Sequence, residues 1–298
     1  MISVRVPATT ANIGAGFDSL GLAVSLYNYV YFDWADKPQI KSLDKVKIPT
    51  TKENLIYRSA MYLFKICGKK NVKPIKILQK NNIPITRGLG SSSCCIVAGL
   101  FGANALLGNI LNKKDLLKIA AKIEGHPDNV APCILGGFVV SAIDNNKVFY
   151  VKNNVISNLK FVFLVPNFKF STEKSRKVLK EEVSLKDAVY NVSRASLLVA
   201  SILKGKFYNL NVAVKDKLHQ DYRLKCIKGA EEIFKFSYSL GAYAVYLSGA
   251  GPSIVAICDR SNRFFEKNIS LKLKEKQMTN WNVLKLDVDN KGVVGHMT

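Results

Sequence analysis

Four short stretches of the chain hold residue types that do chemistry, at spacings close enough to act together. The first, Pro84-Ile85-Thr86-Arg87-Gly88-Leu89-Gly90-Ser91-Ser92-Ser93, runs directly into an uncharged apolar segment. Its glycines let backbone approach a ligand closely and take positive φ. Its serines stand where a helix would begin, beside unpaired N–H groups and the positive end of the helix dipole. That combination suits a polyphosphate. No Gly-Lys-Ser/Thr closes the stretch, so it is not a Walker-type loop. The second, Pro7 to Asp18, is made of small residues plus the amide of Asn12 and the carboxylate of Asp18. Asp18 could pair with an ammonium group or take up a proton.

The third stretch, Glu124-Gly125-His126-Pro127-Asp128-Asn129, packs two carboxylates, an imidazole and an amide into six residues. Mg²⁺ prefers oxygen ligands, commonly a carboxylate together with nucleotide phosphates. His126 by itself could do no more than answer the dipole at a helix end. The fourth, Leu247-Ser248-Gly249-Ala250-Gly251-Pro252-Ser253, is a glycine loop that taken alone could be a plain β-turn.

These stretches need elements to hold them. Ile2–Val6 alternates like a strand, with a small-residue loop from Pro7 to Gly16, and Leu22–Trp34 reads as one or two strands. Residues 36–52 read as a surface excursion. Helical spacing marks 54–67, and two further helices are expected at 91–107 and 113–124, the last with Asn112 as its cap. Strands are expected at 73–79, 136–143, 147–151 and 159–166. In the second half a helix starts at Ser171, and Ser184 and Asp187 resemble a capping box. Ala188, Val189, Val192, Ala195, Val199 and Ile202 then share one helical face, the side expected to meet the core. A helix over 228–240, strands at 242–247 and 253–258, a helix near 262–276 and a strand at 281–286 follow. The boundary is expected at 152–158, dividing domain 1–155 from domain 156–298. The pattern is α+β.

Composition narrows the function classes. The chain of 298 residues is 48 % hydrophobic and 22 % charged, the balance of a folded globular protein. Its net charge is +22, from 44 Lys+Arg against 22 Asp+Glu. Residues 1–150 hold 19 basic and 9 acidic residues, so the excess is spread over both halves. Only eight of the cations are Arg, and no basic run or tail stands out, which argues for solvated lysines over a nucleic-acid surface. Six cysteines without C-x-x-C spacing or a histidine partner argue against zinc, and Cys94-Cys95 read as small buried apolar residues. The uncharged run 88–112 is long enough for a membrane span but is interrupted by Gly and Asn, so it reads as a buried helix. The first residues show no charged-then-apolar leader pattern, and a cytoplasmic location with no membrane association is expected.

In this order, the four stretches resemble the kinase superfamily of galactokinase, homoserine kinase, mevalonate kinase and phosphomevalonate kinase. The homoserine kinases are the nearest branch. Asn12-Ile13-Gly14-Ala15-Gly16-Phe17-Asp18, Glu124 to Pro132 and Leu247 to Pro252 all look like that branch's signatures. Ala15 stands where the family usually has Pro, and Ser93-Cys94-Cys95 where it usually has Ala. The resemblance implies an N-terminal ATP-binding domain with a left-handed β-α-β unit and a C-terminal ferredoxin-like domain. It also implies ATP and Mg²⁺, the hydroxyl of L-homoserine as acceptor within threonine biosynthesis, and a homodimer.

Carried onto this sequence, Pro84, Ile85, Thr86, Arg87, Gly88, Leu89, Gly90, Ser91, Ser92, Ser93 and Cys94 form the nucleotide-phosphate loop. Asn54 falls at an adenine-side contact. Ser92 and Glu124 match the catalytic metal ligands. Asn12, Asp18, His126, Asn129, Arg176 and Arg223 match substrate contacts. A zwitterion needs an anion for its ammonium and cations for its carboxylate, and Arg grips a carboxylate with two donors. If Asp18 holds the ammonium it is not free to act as a base, so no base is assigned. Two other readings remain open here: a mevalonate or sugar kinase, and a basic nucleic-acid-binding protein.

Overall fold

The computed structural model describes residues 1–69, 71–155 and 158–297. Strand β1 (Ile2–Ala11) pairs antiparallel with β2 (Leu20–Trp34). The loop expected from Pro7 starts only after Ala11. Pro7 is accommodated at a register shift between Pro7 and Ala8, where the missing N–H breaks no ladder. The excursion of residues 36–52 contains a short strand, β3 (Gln39–Ser42). It lies parallel to β4 (Ile75–Lys80) and is joined to it through helix α1 (Leu55–Ile66), a β-α-β unit. Then come α2 (Ser91–Leu106), α3 (Lys113–Glu124), α4 (Val130–Leu135), β5 (Phe138–Asp144) and β6 (Lys147–Asn153). Helix α4 is hidden in the sequence because Pro132 sits inside its short span; it ends at Gly136, which takes positive φ.

The first sheet runs β1-β2-β4-β3, with β5 on the other end of the long β2 and β6 beyond it. Helix α2 lies against this sheet and is buried along most of its length. Two glycines permit the close approach. A Cβ on Gly99 would stand 2.3 Å from the Ile56 carbonyl oxygen of α1, and one on Gly102 would stand 2.3 Å from the Phe32 ring of β2. The uncharged run is thus a core helix, and no helix among the described residues is long and apolar enough to cross a membrane.

The second half opens with β7 (Leu159–Pro166), α5 (Thr172–Lys177) and α6 (Leu185–Lys204). A 3-10 turn at Phe207–Asn209 leads to α7 (Leu210–Ala213), α8 (Gln220–Leu224) and α9 (Ala230–Ser239). Strands β8 (Ala244–Leu247) and β9 (Ile254–Asp259), helix α10 (Phe265–Glu275) and strand β10 (Trp281–Leu286) complete the second sheet. Its order is β10-β7-β9-β8, all antiparallel. Counted along the chain that is 4-1-3-2, with helices between the first and second and the third and fourth strands: the ferredoxin-like arrangement. Together the halves make a two-domain α+β architecture.

Two findings depart from the expected pattern. The chain after β10 leaves the second sheet: β11 (Val294–Met297) pairs with β1, and Val24 bridges to Val288. The last segment therefore packs with the first half, and the change of sheet between Asn153 and Leu159 is not the only crossing. Helix α6 is also rotated away from part of its expected face: Val189 and Val192 are 58 % and 67 % exposed, while Val199 and Ile202 still pack half-buried against the core. Its buried residues are Asn191, Leu198 and Ser201. A polar contact sets this rotation: Asn191 donates to Asp216 Oδ1 at 2.7 Å and accepts from the Lys217 N–H. A buried amide without partners is costly, and on this side of the helix Asn191 has both of its partners. The Ser184 cap is confirmed, accepting from the Asp187 N–H while its hydroxyl donates to the Asp187 carboxylate.

Candidate active site

Three loops meet over the end of β1. Asn12 donates to the Gly249 carbonyl at 2.9 Å and accepts from the Asp18 N–H, tying the second stretch to the fourth. The first stretch joins them through Ser248, whose hydroxyl contacts Thr10 and the Gly88 carbonyl. Asn12, Ile13 and Asp18 all take positive φ. For a β-branched residue such as Ile13 that backbone is a costly one, and the packed surroundings hold it. The sequence pattern therefore buys shape as much as it supplies reactive groups.

These loops wall a cleft of about 330 Å³, within the size range of small-molecule sites. Of the expected nucleotide residues, Asn54, Ile85, Thr86, Arg87, Gly88, Gly90, Ser91, Ser92 and Ser93 line it. Pro84, Leu89 and Cys94 do not. Leu89 is fully buried beneath the loop, and Cys94 donates its thiol proton to the Pro7 carbonyl. Burial pushes that thiol well above its ordinary value, so Cys94 is an inert core group. Arg87 lines the cleft, yet its guanidinium is spent on the carbonyls of Ile85, Pro166 and Asn167, a clasp between the loop and β7. Asn54 likewise works first as the cap of α1, accepting from the Ile56 and Tyr57 N–H groups and donating to Pro49 and Gln79.

The start of α2 differs from the capped helices. Its N-cap is Gly90 in the left-handed region, and no side chain caps its first turn. Those N–H groups are the kind of donors a phosphate takes up. A Cβ on Gly88 would stand 2.3 Å from the Ser248 carbonyl oxygen, so glycine is required for the loops to meet.

Glu124, at the end of α3, faces this helix start. Ser93 donates to its Oε1 at 2.7 Å and Ser92 to its Oε2 at 3.3 Å. Ser92 is exposed and Ser93 buried. Hydroxyl and carboxylate oxygens beside a helix start with no side-chain cap form a donor set that fits Mg²⁺. Ser93, expected only in the phosphate loop, makes the shorter bond to the carboxylate.

On the other side lies an acidic corner. Ligand atoms of Asp18, His126 and Asp128 fall within 4.8 Å of one another. His126 Nδ1 bonds the buried Asp128 carboxylate, and since a carboxylate only accepts, the imidazole donates. His126 is therefore more than a dipole partner. Burial works against its protonation, but Asp128 outweighs that and raises its value. Asn129 accepts from the Thr9 hydroxyl at 2.7 Å.

Opposite stand two guanidinium groups. Arg176, on α5, contacts Asp18, and Arg223, on α8, is 2 % exposed and reaches the Gly249 carbonyl. Burial, then the nearby Arg176, pull the Arg223 value down to about 10, so the site favours an added anion. Between them lies Phe17, with Arg176 and Arg223 at 5.7 and 5.2 Å from its ring centroid. The sequence carried Phe17 only as a neighbour of Asp18; aromatic character beside two arginines was the available signal.

Residues 54–137 match the family model described as GHMP kinases N terminal domain, and residues 198–269 match GHMP kinases C terminal. The chain belongs to the GHMP kinase family. Among its curated relatives, the homoserine kinase of Clostridium beijerinckii is 48 % identical over 98 % of this chain and 97 % of its own length. That of Caldicellulosiruptor bescii is 41 % identical over 98 % and 96 %. A crystal structure of homoserine kinase from Cytophaga hutchinsonii superposes with TM-score 0.87 at 29 % identity, covering 99 % of this chain and 97 % of that one. A Methanococcus jannaschii mevalonate kinase reaches TM-score 0.71 at 15 % identity, covering 97 % and 98 %, a likeness of fold alone. This GHMP kinase is thus a phosphotransferase of the homoserine kinase branch, and the mevalonate, sugar and nucleic-acid readings are not favoured.

Proposed function

We propose that the chain transfers the γ-phosphoryl group of ATP to the hydroxyl of L-homoserine, giving ADP and O-phospho-L-homoserine for threonine synthesis in the cytoplasm. The observation that carries this reading is the two-sided cleft, with Asp18, His126 and Asp128 facing Arg176 and Arg223 beside a serine-headed helix. An ammonium fits the acidic corner and a carboxylate fits the two guanidiniums. The substrate's hydroxyl arm is then left to point toward the start of α2.

The N–H groups of α2 and the Gly88–Gly90 backbone would hold the phosphates by charge and hydrogen bonding. Ser92 and Glu124, with Ser93 alongside, would hold Mg²⁺, which when bound neutralises phosphate charge. The homoserine oxygen forms a bond to the γ-phosphorus while the bond to the β–γ bridging oxygen breaks, and the hydroxyl proton passes to water. Phosphoryl transfer depends chiefly on positioning and neutralisation, so no dedicated base is required. Asn12 and the strained 12–18 backbone keep Asp18 in place for the ammonium.

A coupled assay of ADP release with homoserine, mevalonate and galactose tests the reading. Turnover is expected with homoserine well above the other two. Equal background rates with all three would end the proposal.

A further inference from the structure

We propose that His219, which none of the four stretches contains, is a positioning residue that aims Arg223 at the substrate carboxylate. The inference rests on the homoserine reading above and adds a specificity element to it.

His219 is completely buried and lies at the start of α8, four residues before Arg223. Its backbone is fixed by Asp216, whose Oδ2 accepts from the N–H groups of His219 and Gln220 at 2.7 and 2.6 Å. Its ring stacks on Phe17 at 5.0 Å, with 21° between the planes. Both ring nitrogens are used. Nε2 lies 2.8 Å from the Gly14 carbonyl, which can only accept, so Nε2 carries the proton. Nδ1 lies 3.1 Å from Arg223 Nη1, which can only donate, so Nδ1 is the acceptor. One neutral tautomer satisfies both, and the imidazolium form would set an N–H against an N–H.

The rest of the fork is held by backbone. Arg223 Nε donates to the Ser175 carbonyl and Nη1 also to the Gly249 carbonyl, each at 3.2 Å. Nη2 has no hydrogen-bond partner among the described residues, while Arg223 lines the cleft. Three acceptors thus fix the plane of the guanidinium and leave one amino group for a ligand. Of the three, His219 is the one supplied by a side chain. It links that plane to Gly14, in the same loop as Asp18, so the cation and the anion of the site share one support.

Two substitutions separate its two bonds. His219→Asn can keep an acceptor near the place of Nδ1, facing Arg223. His219→Gln can keep a donor near the place of Nε2, facing Gly14. Thermal melting establishes that each variant folds. The KM for homoserine is expected to rise about tenfold or more in His219→Gln and less in His219→Asn. The kcat and the KM for ATP should stay within about twofold in both. 3-Amino-1-propanol has the same hydroxyl and ammonium but no carboxylate. Its constant as substrate or competitor should not change in His219→Gln, which keeps the bond to Gly14.

An unchanged homoserine KM in folded His219→Gln overturns the proposal. So does a reversed order of the two variants, or an equal loss toward 3-amino-1-propanol, because the effect would then not pass through the carboxylate. Absence of homoserine turnover in the unaltered chain would instead defeat the functional reading and remove the carboxylate from the argument.

Discussion

Arg176 closes on Asp18 with both terminal nitrogens: Nη2 lies 2.9 and 3.1 Å from the two carboxylate oxygens and Nη1 lies 3.2 Å from Oδ2. These groups are proposed for the carboxylate and the ammonium that share the substrate's α-carbon. In the structure they satisfy each other. With side chains 41 % and 34 % exposed, the pair is worth at most about 1 kcal/mol. A zwitterion can therefore exchange one weak ion pair for two at little loss.

Arg176→Ala should raise the KM for homoserine by about 10- to 100-fold, the range for losing a charge-assisted grip on a carboxylate. The KM for ATP should move less than about threefold, and the melting temperature should barely change. Steady-state kinetics against each substrate checks this; equal shifts in both KM values would contradict the assigned role.

Glu124→Gln keeps the shape of the side chain and removes its charge. We expect kcat to fall by at least about 100-fold, as for loss of a metal ligand, with unfolding free energy changed by less than about 1 kcal/mol. The Mg²⁺ concentration for half-maximal rate should rise. Rates within twofold of the unaltered chain would remove Glu124 from the site.

Gly88→Ala and Gly68→Ala test whether the loop glycine is there for space or only for backbone freedom. Both have φ near +73, but a Cβ on Gly68 meets nothing within 4 Å, while one on Gly88 meets backbone. Gly68→Ala should cost about 1–2 kcal/mol, the left-handed penalty alone. Gly88→Ala should cost more and also raise the KM for ATP. Urea denaturation alongside kinetics separates the two.

Asp44 gives a pH test. Burial acts to raise its value, but the N–H groups of Asn81 and Val46 and the Ser42 hydroxyl outweigh this, so the folded value lies below the usual 3.8. A depressed carboxylate stabilises the fold above its unfolded value, and that contribution is lost as pH falls through the folded one. Asp44→Asn should therefore cost about 1 kcal/mol at pH 7, and that cost should shrink steadily as the pH falls below 3.8. A cost that grows on acidification would reverse the sign argued here.

Glycines, serines and a carboxylate at fixed spacing marked the phosphate loop and Glu124, because such chemistry is local and written in a few adjacent residues. Helices α1, α2 and α3 were legible for the same reason: the apolar spacing of α1, the uncharged run of α2 and the Asn112 cap of α3 each lie within one segment. Helix α6 was misread, since its rotation answers to Asp216, a residue 25 positions from Asn191. The edge strand β11 was missed because four residues gain strand character only from pairing with β1.

By itself the sequence determined which groups are proposed to meet phosphate, cation and zwitterion, since residue type and local spacing suffice to point to them. Tertiary structure alone decided which of them are free to act. It spends Arg87 on three carbonyls, pairs Asp18 with Arg176, and sets His219 behind Arg223 across 205 positions from Gly14. The reason is physical: a hydrogen bond needs its partners within about 3 Å, and for these side chains only the fold supplies that distance.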